Sequence, residues 1–175
     1  DFIRYTFPYL KELDANFVLI GEGDQSLANE FKELEKESDN FIFVSGYDEG
    51  LAHKLYAAAD FLMMPSLYEP CGLNQLIAYK YGTIPIVRET GGLKESVCDY
   101  ADKECDKGVG VVFKGVEALS FYHAITRALA LCANGKKMQK IAKNNMSLNL
   151  DWSTSSGEYV KIYKNLSKPG GQNGQ

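Results

Sequence analysis

The sequence predicts an α/β fold: a Rossmann-like, doubly wound parallel sheet with helices on both faces and a helical C-terminal tail. Three observations carry this. Apolar runs of strand length recur at 17–20, 41–44, Phe61–Met64, 84–87 and 109–113. Between most of them lie stretches with apolar residues at helical spacing, and strands that alternate with helices build parallel sheets. Glycine, proline and acidic residues gather where a run gives way to a helix, the place where an open α/β sheet binds its ligand.

The first stretch, 2–13, is helix-like, with Phe2, Ile3, Phe7 and Leu10 at helical spacing and Pro8 expected to distort or divide it. A doubly wound sheet seldom starts on such a helix, so an upstream portion of a longer chain is expected. The run 17–20 ends in Gly21, Gly23 and Asp24 before a charged helix to about Lys36. Strand, glycine turn and helix open many nucleotide-binding units, but a lone G-x-G is weak evidence, and a tight turn is the favoured reading. After 41–44 come Gly46, Tyr47 and Asp48. Asp48 is expected to cap a helix that buries Leu51, Leu55, Tyr56 and Ala59. Tyr47 sits where a flat ligand could stack, although a loop aromatic is more often packing. His53 is given no role.

The centre of the chain is 64–87: a buried strand over Phe61–Met64, a polar loop, a helix from about 72–74, and a strand at 84–87. The loop carries Glu69, Pro70, Cys71 and Gly72. Proline fixes one backbone angle there, and glycine lets a ligand approach the main chain. The unpaired amides of the helix start attract anions. Glu69 beside that helix end is the candidate site. Gly91 and Gly92 form a second loop of close approach, followed by a short helix through Val97.

Residues 99–108 read as a surface loop, and 109–113 as the last strand. Helices follow: Ala118–Ala133 with Leu119, Tyr122, Ile125, Leu129 and Cys132 as its stripe, one around Met138, Ile141 and Met146 after a turn at Gly135, and a last one with Tyr159, Ile162, Tyr163 and Leu166 on one face. Trp152 is expected to pack this tail against the sheet. One domain over 1–166 and a disordered glycine-rich tail over 167–175 complete the expectation.

At 175 residues the chain suits one domain with a real core, and 45% hydrophobic and 24% charged residues are ordinary for a globular protein. A net charge of −4 supplies no basic footprint and argues against nucleic acid as a partner. No apolar run approaches the roughly 20 residues that span a membrane, and no signal peptide opens the sequence. Cys71, Cys98, Cys105 and Cys132 form no C-x-x-C and no zinc spacing, so reduced thiols of a cytoplasmic type are expected.

The string PSLYEPCGLNQLIAYKYGTIPIVRETGGLKESV resembles the donor-site region of bacterial glycogen synthases and plant starch synthases. These are retaining glycosyltransferases whose two Rossmann-like domains face each other across a cleft, the GT-B architecture. SGYDEGLAHKLYAAAD and DWSTSSGEYVKIY extend the resemblance to nearly the whole chain, as the second of the two domains. It implies an enzyme that moves glucose from ADP-glucose to the non-reducing end of an α-1,4-glucan, in the cytoplasm or in a plant plastid. No metal and no cofactor beyond the donor substrate are implied. The partners would be ADP-glucose, the glucan acceptor and the N-terminal domain.

By the same resemblance, Glu69 is the catalytic carboxylate against the donor glucose. The backbone of Cys71, Gly72 and Leu73 cradles the sugar, Asn74 meets the distal phosphate, and Tyr47 stacks on adenine. Gly91 and Gly92 shape the loop. Ile77 stands where many wider relatives carry a second glutamate, which fits the glycogen synthase branch. The family's basic pair that clamps the diphosphate falls outside this sequence, so this portion alone is expected to be inactive. A transferase using UDP-glucose and a non-catalytic nucleotide- or glucan-binding module stay open as alternatives.

Overall fold

The computed structural model describes residues 2–105 and 107–167. The elements run α1 (Phe2–Leu10), β1 (Phe17–Gly21), α2 (Gln25–Lys36), β2 (Phe41–Ser45), α3 (Glu49–Ala58), β3 (Phe61–Met64) and α4 (Asn74–Tyr81). They continue with β4 (Ile84–Arg88), α5 (Gly91–Ser96), β5 (Val97–Asp99), β6 (Gly108–Phe113), α6 (Ala118–Ala133), α7 (Gly135–Met146) and α8 (Trp152–Leu166). Every strand pairing is parallel. The ladder falls into two parts, β1-β2 and β3-β4-β6-β5.

Adjacent residues of β4 explain why helices cover both faces. Ile86 joins Phe7, Phe17, Phe41, Val111 and Phe121 in the core under α1 and α6. Val87 points the other way, to Met64, Tyr79, Leu93 and Val97 under α4 and α5. Successive strand residues alternate faces, so a strand buried on both sides reads as one unbroken apolar run. Each fully buried large side chain of this kind contributes about 1.5–3 kcal/mol.

Several expectations need correction. Pro8 lies inside α1 without dividing it, and the helix stops at Leu10 rather than near 13. Phe7 and Leu10, each 1% exposed, hold that helix on the core, and this packing outweighs one lost backbone hydrogen bond. Phe61–Met64 is only half-buried apart from Met64, because β3 ends its sheet part. On α3, Leu51, Leu55 and Tyr56 are half-buried, whereas Ala59 is the exposed C-cap residue.

In α6 the buried stripe is Phe121, Ala124, Ile125, Ala128 and Leu131. Leu119 and Cys132 face solvent, so the expected stripe shares Ile125 but is rotated about the helix. Asp99 belongs to strand β5 and not to a loop. Cys98 and Cys105 form a disulfide with their Cα atoms 5.8 Å apart, which corrects the expectation of four reduced thiols; Cys71 and Cys132 are free. Trp152 is 81% exposed and does not pack on the sheet. The α8 face of Tyr159, Ile162, Tyr163 and Leu166 is exposed throughout. Ser167 closes α8 as its C-cap, and the rest of the expected tail, 168–175, lies outside the described residues. No helix among the described residues is long and apolar enough to cross a membrane.

Candidate functional site

In a parallel sheet successive loops leave at the same edge, so the topology brings residues 65–73 and α5, which follow β3 and β4, to one side of the molecule, while Tyr47 follows β2 of the other sheet part. The loop after β3 holds four of the six expected site residues, and a fifth, Asn74, opens α4. Glu69 is half-buried, and the Ser66 hydroxyl donates weakly to its Oε2 at 3.4 Å. Cys71, Leu73 and Asn74 are exposed, and Gly72 is buried. Tyr47 stands apart on its own loop, 81% exposed.

Helix α4 begins without a side-chain cap, since its N-cap residue is Leu73. The N–H groups of Leu73, Asn74 and Gln75 have no partner among the described residues. Unpaired amides at a helix start carry a partial positive charge. Such a helix start can hold an anion, and Glu69 lies in the loop that leads into it.

The loop is held from behind by α5. Gly91 and Gly92 are the first turn of that helix, not a separate loop. What approaches their backbone is the chain itself. A Cβ on Gly91 would stand 1.9 Å from the Glu69 carbonyl oxygen, and one on Gly92 2.0 Å from that of Cys71. The Gly92 N–H donates to the Glu69 carbonyl at 2.8 Å. Gly72 has φ +72°, in the left-handed region that favours glycine, and a Cβ there would lie 2.6 Å from Gln75 Oε1.

Three supporting residues escaped the sequence reading. Arg88, at the end of β4, donates through Nε to the Ser66 carbonyl at 2.7 Å and through Nη2 to the Leu67 carbonyl. Gln75 is fully buried, and its Nε2 donates to the Gly72 carbonyl at 2.7 Å and to Ser96 Oγ at 2.9 Å. Ser96 Oγ in turn donates to the Gly92 carbonyl at 2.7 Å. The signal for Gln75 was present: Gln75, Ala78 and Tyr79 are the buried stripe of α4 at helical spacing, and an amide on such a stripe must find partners. Tyr79 donates from its hydroxyl to the Ser96 carbonyl at 3.2 Å, and burial pushes its phenol pKa up.

Elsewhere, the expected cap is in place: Asp48 Oδ1 accepts from the Leu51 N–H at 2.8 Å. Asp24 caps α2 in the same way, accepting from the Ser26 and Leu27 amides, so the G-x-G junction is an ordinary turn. Hydrogen bonds from the Ser26 side chain and from the Leu27 and Ser26 amides hold the Asp24 carboxyl below its usual range. No group of three or more His, Cys, Asp or Glu among the described residues could hold a metal ion.

The fold and this loop set define a Rossmann-like α/β domain. Residues 5–146 match the model of the glycosyl transferases group 1 family, and the chain belongs to that family. It is 42% identical over 165 residues to a glycogen synthase of Thermosipho africanus, covering 93% of this chain and 34% of that protein. Among solved structures, the catalytic domain of starch synthase IV from Arabidopsis thaliana, bound to ADP and acarbose, matches with a TM-score of 0.82 at 34% identity, over 93% of this chain and 34% of that one. Sucrose-phosphate synthase from Thermosynechococcus elongatus matches with a TM-score of 0.66 at 22% identity, covering 94% of this chain and 42% of that one, a likeness of fold alone. The chain spans about a third of the length of the glycogen synthase it matches.

Proposed function

We propose that this chain, as one domain over 1–166, is the donor-binding half of a retaining glucosyltransferase that moves glucose from ADP-glucose to the non-reducing end of an α-1,4-glucan. The observation that carries the proposal is the uncapped start of α4, just after the Glu69 loop, with three amides that have no partner among the described residues. The resemblance to glycogen synthase and to an ADP-bound starch synthase supports the choice of donor.

On this reading the diphosphate lies against the amides of Leu73 and Asn74 and the Asn74 side chain. Departure of ADP leaves negative charge on the phosphate, and a preorganised helix end stabilises that charge as it develops. The backbone of Cys71, Gly72 and Leu73 borders the glucose. Glu69 orients a sugar hydroxyl and opposes positive charge at the anomeric carbon. Tyr47 stacks on adenine. The donor is the only small molecule the reaction needs, and no cofactor is assigned. The acceptor glucan and an N-terminal domain complete the site, in the cytoplasm or a plastid.

Calorimetric titration of this chain with ADP and with UDP, beside Tyr47→Ala, tests the donor assignment. ADP is expected to bind more tightly than UDP, and Tyr47→Ala to weaken ADP by about tenfold, the worth of one base–aromatic stack. Equal affinities that ignore the substitution would overturn the choice of ADP, and no binding of either nucleotide would overturn the donor site. In the longer enzyme, Glu69→Ala is expected to lower turnover about 100-fold or more with little change in KM; unchanged turnover would remove Glu69 from the reaction.

A further inference from the structure

The loop that carries Glu69 is tied to α5 at both of its ends. At the first end the Gly92 N–H donates to the Glu69 carbonyl. At the second, the buried amide of Gln75 donates to the Gly72 carbonyl and to Ser96 Oγ, and Ser96 Oγ passes its own hydrogen to the Gly92 carbonyl. Glu69, Gly92, Ser96, Gln75 and Gly72 thus form one chain of hydrogen bonds behind the loop.

The direction of the second tie has a consequence at the front. No peptide bond among the described residues is cis. In a trans peptide the carbonyl of one residue and the N–H of the next point in opposite directions. Drawing the Gly72 carbonyl inward, onto the buried Gln75 amide, therefore turns the Leu73 N–H outward, where Leu73 is exposed. The Asn74 and Gln75 amides follow as α4 begins.

Gln75 gains little for itself from this arrangement. Its Oε1 is buried with no hydrogen-bond partner among the described residues. A buried, unsatisfied acceptor of that kind destabilises the fold. A methionine or leucine would fill the same stripe position of α4 without that cost.

We infer that Gln75, acting through Ser96, is a positioning residue that turns the amides of residues 73–75 toward the ligand. The inference rests on the donor reading only for the identity of that ligand. Its observable content is loop order in the free protein and selectivity for the phosphate part of the nucleotide.

The test compares Gln75→Met, which keeps length and apolar volume but loses the amide, with Ser96→Ala and Ser96→Thr, the last of which keeps the hydroxyl. In the ligand-free chain, the NMR order parameters of the Gly72 and Leu73 amides should fall from about 0.85 to below about 0.6 in Gln75→Met and Ser96→Ala, and recover in Ser96→Thr. ADP affinity should fall about tenfold in the first two variants while adenosine, which lacks phosphate, binds as before. Gln75→Met combined with Ser96→Ala should cost no more ADP affinity than either alone, because both break one path.

Unchanged order parameters in Gln75→Met would overturn the inference, and so would parallel losses for ADP and adenosine. Should Gln75→Met fail to fold, the Ser96→Ala and Ser96→Thr pair decides on the same two readouts. Should the unsubstituted chain bind no nucleotide, the donor reading fails, and the order parameters still decide the positioning role.

Discussion

The junction from β2 into α3 and the junction from β3 into α4 each lead from a parallel strand into a helix, yet they are finished in opposite ways. The first is short, residues 46–48, and Asp48 turns its carboxylate back onto the Leu51 amide. The second runs from 65 to 73, has no side-chain cap, and leaves three amides without a partner among the described residues. Its stability comes from behind, through Gly92, Gln75 and Arg88. A helix end that caps itself is complete as a piece of scaffold. One that holds its loop by the back and leaves its amides free is arranged for an anion.

The glycines of the two junctions give the sharpest way to break this contrast. A Cβ at Gly92 would lie 2.0 Å from the Cys71 carbonyl oxygen and 2.5 Å from its carbon. Backbone cannot yield there as a side-chain tip can, so Gly92→Ala is expected to cost about 3 kcal/mol. That lowers the melting midpoint by about 6–12 °C for a chain of this size. At Gly50 in α3 the nearest contact is 3.4 Å, to the Asp48 carboxylate. Gly50→Ala is expected to raise stability by about 0.5 kcal/mol, since alanine is the better helix former. Thermal denaturation reads both, and a Gly92→Ala chain that melts with the unsubstituted protein would sink the packing account of the second junction.

Of intermediate size is an exchange of roles between the helix starts. Leu73→Asp places a carboxylate beside the open amides, so ADP affinity should fall more than tenfold. Fold stability should stay within about 0.5 kcal/mol, because Leu73 is exposed. Asp48→Ala should do the reverse: lose about 1 kcal/mol of stability and leave ADP affinity as it was. Denaturation paired with calorimetry separates the two, and an Asp48→Ala chain that loses ADP binding would mean that α3's cap also belongs to the site.

The contrast also marks what the sequence could reveal. Strand runs and the Asp48 cap are local: apolar runs of strand length and an acid before a helix act within a few residues. The placement of Glu69 just before a helix start was legible for the same reason, since loop, carboxylate and helix start are consecutive, whereas a role for Asn74 came only from the family resemblance. Ser96 and Arg88 were not. Arg88 donates to the Ser66 carbonyl, 22 residues away, and Ser96 Oγ accepts from the Gln75 side chain, 21 residues away; such partners are set by topology alone. Trp152 fails differently: a lone tryptophan suggests burial, but the α8 face it leads is uncovered in the described chain. The rotated stripe of α6 arose because alanines at 124 and 128 form its contact surface while larger neighbours stay outside.

A further modest effect is expected at the far end of α5, where the chain enters β5. Asp99 accepts two hydrogen bonds from Arg127 Nη2, each 2.7 Å, and one each from the Val112 and Ala101 amides. Burial alone would raise its pKa, but the hydrogen bonds from Arg127, Val112 and Ala101 and the charge of Arg127 outweigh it, leaving the carboxyl below its usual range. A depressed folded pKa contributes stability that is fully present above the unfolded value, about 3.9, and is lost as pH falls through the folded one. Arg127 is 38% exposed at its side chain, so water screens the pair and Asp99→Asn should cost only about 1 kcal/mol at pH 7. The gap between the two melting curves should close progressively below about pH 4. A gap that held its full size at lower pH would assign the loss to packing instead of charge. Because Asp99 ties down β5, not the loop, ADP affinity at pH 7 should not move, and a loss there would show that the clasp on α5 reaches through the helix to its far end.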